Sequence, residues 1–254
     1  MNARKTEEKL INTEKYKLFV KYIHGNLPAI VFESGGGGTS SQWDSIISNL
    51  STEINNTIVI YDRAGLGKSN LPENSDDIES EIEALNSLLK QLNYSDEIIF
   101  AGHSYGALYM QYYTHMHPIS VKGLLFIDPS SLYFIESLGG ADGFIKRITN
   151  KLYSINKETK IHKRFTQLCS TFHQTVSKLA KIDQPDIPSY IITSGIKWLP
   201  TDDPNSYKLF QLSHKKLADF YRAKMLESNS NHNIPENDPN IIISTIKKLL
   251  EPLN

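Results

Sequence analysis

Three observations predict an α/β protein with a mainly parallel sheet. Short apolar runs alternate with helical stretches along most of the chain. A serine stands between two glycines in Gly102-His103-Ser104-Tyr105-Gly106, where an apolar run meets a helical stretch. The alternation breaks once, between Asp128 and Pro188, for about sixty residues of helical periodicity, too long for a simple crossover.

In chain order, Tyr16 to Ile23 and Ala29 to Glu33 read as an early strand pair turned at Gly25-Asn26, and Ser41 to Leu50 as a helix. Thr57 to Tyr61, Ile98 to Ala101, Gly123 to Ile127 and Tyr190 to Thr193 suit strands buried on both faces. Ile78 to Leu92 and Ala107 to His117 supply helices between them. In the last helix Asp238 stands at the cap, Pro239 fits the first turn, and Ile241, Ile242, Ile246, Leu249 and Leu250 form an apolar stripe. The expected organisation is a core of residues 1–129 and 188–254. Residues 130–187 form a helical lid over the carboxyl ends of the strands, where open α/β sheets bind ligands.

The chain has 254 residues, enough for one large domain or for a core carrying an insertion. A formal net charge of −1 speaks against a nucleic-acid partner. Cys169 is the single cysteine, which excludes an internal disulfide and fits a reducing compartment. Met1 to Lys9 is charged and lacks an apolar stretch, unlike a signal peptide, and no run is long enough to span a bilayer. These features predict a cytoplasmic protein acting on a small molecule, and they say nothing of its oligomeric state.

A serine between glycines at a strand-to-helix junction is a nucleophile elbow. The sharp turn strains the serine backbone, flanking side chains would collide with neighbouring elements, and the hydroxyl is held clear of the sheet beside helix amides. Such a hydroxyl needs a base. His232 is the candidate, in the polar loop Ser228 to Asn233 before the last helix. His103 adjoins the serine and is expected to point elsewhere. His115 and His117 end a helix, where a cation suits the dipole. His162 and His173 fall in the lid and read as surface or packing residues.

An oxyanion needs backbone donors. Ser34-Gly35-Gly36-Gly37-Gly38 follows an early strand, and the amides of Gly36 and Tyr105 are the candidates. Two nucleotide-binding alternatives fail on spacing. A dinucleotide fingerprint needs glycine where Ser40 stands, and a phosphate loop ending in Gly67-Lys68-Ser69 needs glycine where Asp62 stands.

Glu33-Ser34-Gly35-Gly36, Tyr61-Asp62-Arg63-Ala64-Gly65-Leu66-Gly67-Lys68-Ser69, the elbow, Ile127-Asp128-Pro129 and the late histidine together resemble the α/β-hydrolase superfamily. The resemblance implies an eight-stranded, mostly parallel sheet, a helical cap after the sixth strand, and serine hydrolase chemistry. It also implies a packing role for Trp43 and a structural role for the Asp62 to Ser69 turn. Ser34 and Ala107 depart from the family's common histidine and glycine without removing an amide. Most relatives place the triad acid just beyond the seventh strand. Here Ile196 to Pro200 contains no acid, Asp202 and Asp203 come later, and Asp203 before Pro204 can instead cap a helix. A minority of the superfamily places the acid after the sixth strand, where Asp128 stands, although an aspartate before Pro129 can also close a turn. Asp128 is favoured, with Asp202 and Asp203 as alternatives.

The expected activity is hydrolysis of an ester, thioester or lactone through an acyl-enzyme, with no cofactor and no metal. Amide or carbon–carbon bond hydrolysis and acyl transfer would use the same residues, because selectivity lives in the pocket. A ligand-binding protein that has lost turnover is the reading from another class. Serine at the elbow argues against haloalkane dehalogenase or epoxide hydrolase chemistry, for which the resemblance requires a carboxylate nucleophile. Lys146, Arg147, Lys151, Lys160, Lys163 and Arg164 in the lid signify either an anionic substrate or a solvated helix face.

Overall fold

The computed structural model describes residues 4–197 and 204–251. Within them β1 (Glu7–Asn12), β2 (Lys17–Ile23), β3 (Asn26–Glu33), β4 (Asn56–Tyr61), β5 (Ile98–His103), β6 (Val121–Ile127), β7 (Ser189–Ser194) and β8 (Lys224–Ser228) form one eight-stranded sheet. The spatial order is β1-β2-β4-β3-β5-β6-β7-β8. The β1–β2 and β2–β4 pairs are antiparallel, and all pairs from β4–β3 to β7–β8 are parallel. The alternation read from the sequence therefore produces the expected α/β sheet.

Helices cover both faces. On one, α1 (Asp44–Glu53) and α9 (Pro239–Leu250) bury Ile46, Leu50, Ile242 and Ile246 against Ile30, Ile58 and Ile99. On the other, α2 (Ile78–Gln91) and α3 (Gly106–Met116) bury Ile82, Leu85 and Leu108 against Val31, Val59 and Phe100. Each such side chain contributes about 1.5–3 kcal/mol relative to exposure. This explains the unbroken apolar runs of the central strands, which leave no polar position to alternate with. A short turn of 3₁₀ helix, Ser40–Trp43, precedes α1, and Trp43 is fully buried with its indole N–H donating to Ser34 Oγ at 2.9 Å.

Two strands have no counterpart in the sequence reading. β1 buries only Ile11 and β8 only Ser228, so neither edge strand carries an apolar pattern. Asp238 does precede α9, but its side chain makes no cap bond and accepts from Ser228 Oγ at 2.7 Å. It ties the last helix to β8 instead.

Between β6 and β7 lie α4 (Leu132–Ser137), α5 (Gly140–Leu152) and α6 (Lys160–Leu179). Contacts to residues 69–81 run along α6. Lys160 donates to the Ser69 carbonyl at 2.9 Å, Gln167 to that of Pro72 at 2.9 Å and Thr171 to that of Asp76 at 3.1 Å, while Lys178 meets Asp77 at 2.7 Å. Arg164 forms a fully buried ion pair with Glu81 of α2. After β7 the chain continues through α7 (Pro204–Tyr221), β8 and the short α8 (Ile234–Asn237). No helix among the described residues is long and apolar enough to cross a membrane.

Candidate active site

Ser104 sits between the end of β5 and the start of α3, with φ at 52°. That left-handed conformation costs a non-glycine residue about 1–3 kcal/mol. Close packing holds it there. A Cβ on Gly102 would come 2.3 Å from Met110 Sδ, and one on Gly106 would come 2.5 Å from the Ser34 carbonyl oxygen. The Ser104 amide donates to the Ile127 carbonyl at 3.0 Å, and its own carbonyl accepts from the Ser130 amide at 2.9 Å.

The parallel register pairs His103 with Ile127, so Ser104 and Asp128 are the first residues beyond two adjacent strands. Asp128 also has positive φ, at 43°, and is fully buried. Its Oδ1 accepts from the Ser194 amide of β7 at 2.8 Å, and its Oδ2 lies 2.7 Å from His232 Nδ1. His232 Nε2 lies 2.9 Å from Ser104 Oγ. Burial pushes the Asp128 carboxyl up, but the His232 hydrogen bond, the imidazoles of His214 and His232 and the Ser194 amide outweigh it and hold the group below its ordinary value. It is therefore an anion facing Nδ1, which places the imidazole proton on Nδ1 and gives Nε2 the acceptor role toward Ser104. Asp202 and Asp203 lie outside the described residues.

The glycine-rich loop is held from the Asp62 to Ser69 turn, to which the resemblance gives a structural role. Arg63, buried and paired with Glu33 at 3.2 Å, donates to the Ser34 carbonyl at 2.6 Å, to that of Gly35, and to that of Gly36 at 3.2 Å. Gly36 reaches Tyr105, with a Cβ on the glycine falling 3.6 Å from the Tyr105 Cβ. Neither the Gly36 nor the Tyr105 amide donates to an acceptor among the described residues, so both remain available to an oxyanion.

His103 corrects the expectation that it points away. Its ring centroid is 4.7 Å from that of His232, and its Nε2 lies 2.8 Å from the His232 carbonyl oxygen. The tautomer follows from the neighbours. Gly35 N–H donates to Gln42 Oε1 at 3.0 Å, so the Gln42 amide nitrogen, 2.7 Å from His103 Nδ1, is the donor there. Nε2 then carries the hydrogen and donates to His232. Burial above all lowers the His103 pKa to about 3 and keeps the ring neutral. Gln42 and His103 thus connect the glycine loop to the backbone of His232. A glutamine seven residues after Gly35, on the turn preceding α1, is the sequence signal that could have found this link.

His214 was also missed. Fully buried on α7, it accepts from Thr193 Oγ1 at Nδ1, 2.9 Å away, and donates from Nε2 to the Pro129 carbonyl at 3.0 Å, bracing the turn that carries Asp128. Burial pushes its pKa down to about 4. His115, His117, His162 and His173 do not line the cavity at Ser104, and His173 pairs with Asp142 at 3.0 Å.

That cavity has a volume of about 650 Å³. Ser104, His232, Gly36 and Tyr105 reach its floor, and Phe134, Phe144, Ile148, Leu152, Phe165 and Phe210 make most of its wall. No group of three or more His, Cys, Asp or Glu side chains among the described residues is arranged to hold a metal ion.

A family model described as alpha/beta hydrolase fold matches residues 28–233. An uncharacterized protein of Bacillus subtilis, YqjL, is 26% identical over 221 residues, covering 84% of this chain and 79% of its own length. A proline iminopeptidase from Saccharolobus solfataricus is 31% identical over 112 residues, which are 43% of this chain and 35% of that enzyme. Among solved structures, a thioesterase domain from the curacin biosynthetic pathway superposes with a TM-score of 0.65 at 12% identity, covering 96% of this chain and all of its own. A haloalkane dehalogenase from Agrobacterium tumefaciens gives 0.68 at 16% identity, covering 98% of this chain and 97% of its own. At such identities the structural likeness is one of fold.

Proposed function

The chain belongs to the alpha/beta hydrolase fold family, and from that premise we propose that it is a cofactor-independent serine hydrolase acting on a carboxylic ester, thioester or lactone. The observation that carries the reading is the continuous contact from Ser104 Oγ to His232 Nε2 at 2.9 Å and from His232 Nδ1 to Asp128 Oδ2 at 2.7 Å. Ser104 Oγ attacks the substrate carbonyl carbon while Nε2 takes its proton. The buried Asp128 carboxylate stabilises the imidazolium that results. Carbonyl oxygen becomes an oxyanion and receives hydrogen bonds from the Gly36 and Tyr105 amides. On collapse, Nε2 returns the proton to the leaving group and an acyl-Ser104 ester remains. A water deprotonated by the same nitrogen attacks that ester; the carbonyl–Oγ bond then breaks, Nε2 returns the proton to Ser104 Oγ, and the acid leaves.

Residues 130–187 act as a cap in this scheme, because α5 and α6 supply part of the wall above Ser104. A carboxylate nucleophile, as dehalogenase chemistry requires, is absent from position 104. A fluorophosphonate probe tests the proposal. The folded protein should be labelled covalently and lose labelling on Ser104→Ala, with His232→Ala slowing the reaction steeply. Folded protein that resists the probe would refute the activated serine and favour a ligand-binding role.

A further inference from the structure

The basic residues of the 130–187 segment fall into distinct settings. Lys160 is bonded to the Ser69 carbonyl at 2.9 Å, Lys163 meets Glu158 at 3.0 Å, and Arg164 is buried against Glu81. Lys146 is exposed on the outer side of α5. Arg147 and Lys151 differ from all of these. Both line the cavity that holds Ser104, and neither has an ion pair or side-chain hydrogen bond among the described residues.

Helical geometry explains their placement. Phe144, Arg147, Ile148, Lys151 and Leu152 follow the i, i+3, i+4, i+7, i+8 spacing of one helix face, and all five line the cavity. Arg147 is half-buried there, and Lys151 lines the cavity from an exposed position. No aspartate or glutamate is among the described lining residues. The half-buried Arg147 in an otherwise apolar wall attracts an anion more strongly than it would in open water, and Lys151, one turn on, adds a second positive charge from the exposed side. A solvated helix face would turn Arg147 outward, as it does Lys146.

We propose that the acyl group cleaved at Ser104 ends in an anion, a carboxylate or a phosphate, held by Arg147 and Lys151. This rests on the serine hydrolase reading. The Arg147 guanidinium offers two parallel donors to such a group, and Lys151 adds a mobile point charge. Phe144, Ile148 and Leu152 take the apolar chain between the carbonyl and the anion. A second, more open recess lined by Gly38, Thr39, Ser41 and Gln42 also reaches Ser104 and His232, and gives the leaving group a separate exit.

The test compares kcat/KM at low salt for three p-nitrophenyl esters of matched length. They are the hydrogen suberate, its neutral methyl ester, and an octanoate bearing a terminal phosphate. The unmodified protein should prefer a charged ester by about tenfold, the scale of one charge-assisted hydrogen bond, and the better charged arm identifies the anion. Arg147→Gln with Lys151→Gln should bring the ratio to about one, and Arg147→Glu with Lys151→Glu should invert it, as expected for an electrostatic preference. A charged-to-neutral ratio of one or less in the unmodified protein, or a ratio unmoved by the double variants, overturns the assignment. If Ser104 takes the fluorophosphonate label while no charge preference exists, the anion site alone has failed. No label and no p-nitrophenol release from any ester overturns the hydrolase reading itself.

Discussion

Asp128→Asn preserves side-chain shape and changes which atoms can face His232. One side of the carboxylate is committed, because Oδ1 accepts from the Ser194 amide at 2.8 Å. An asparagine that keeps that bond must turn its NH₂ toward His232 Nδ1. The imidazole then accepts at Nδ1 and carries its hydrogen on Nε2, where it cannot take the Ser104 proton. The other rotamer restores an acceptor for Nδ1 but sets NH₂ against the Ser194 N–H, two buried donors facing one another, at about 1–3 kcal/mol. Either way the negative charge that steadies the imidazolium is gone, and at an effective dielectric near 20 a unit pair about 4 Å apart is worth about 4 kcal/mol. Together these predict a fall in kcat on the order of 10³–10⁴. The assay is p-nitrophenyl ester turnover with fluorophosphonate labelling rates, alongside thermal melting to show that the variant is folded. Turnover within about tenfold of the unmodified protein would refute the role of Asp128 and transfer it to Asp202 or Asp203.

Acid should weaken the fold through two buried imidazoles. His103 and His214 have pKa values pushed down to about 3 and about 4, chiefly by burial, whereas each returns to the ordinary histidine range on unfolding. The folded state binds fewer protons, so their contribution is full above about pH 6.5 and is lost as pH falls toward 4, at up to ~1.4 kcal/mol per pH unit for each. Urea midpoints should drop across that window and His214→Gln should flatten the slope; a stability that stays level on acidification sinks the argument. In the Arg164–Glu81 pair, Arg164 Nη1 and Glu81 Oε2 have no partner among the described residues. Arg164→Met or Glu81→Leu alone should cost about 3–5 kcal/mol and the two together much less, and additive losses in urea denaturation would contradict this.

What the sequence disclosed follows from how local each signal was. The central strands were legible because burial on both faces makes them continuously apolar, as Ile98 to Ala101 are. The edge strands were not, since Glu7–Asn12 and Lys224–Ser228 bury one residue each and are defined by pairing to a neighbour. Ser104 announced itself through two glycines whose necessity is visible in the 2.3 Å and 2.5 Å approaches at Gly102 and Gly106. His232 came from loop position and chain order, and lies 2.9 Å from the serine. His103 was misjudged because elbow geometry describes the turn and not what packs over it. Its orientation is set by Gln42 and the His232 carbonyl, residues 61 and 129 positions away. The turn holding Arg63 was legible as structural through the resemblance, but not what Arg63 holds, its acceptors lying on a loop 27 to 29 positions earlier.

In the proposed hydrolase, separate parts of the fold carry attack and selection. Parallel register alone sets the first residues beyond β5 and β6 side by side, and the β7 amide of Ser194 fixes the carboxylate between them. The loop after β8 then needs only to bring His232 over that edge, where His103 and Asp128 hold its carbonyl and its Nδ1. None of those supports comes from α5. The α6 helix is bonded along its length to residues 69–81, whereas on the cavity-facing side of α5 Arg147 and Lys151 stand beside apolar residues with no ion pair among the described residues. Substitutions on that face should therefore redirect which acyl group is accepted while the 2.9 Å and 2.7 Å contacts of His232 stay in place.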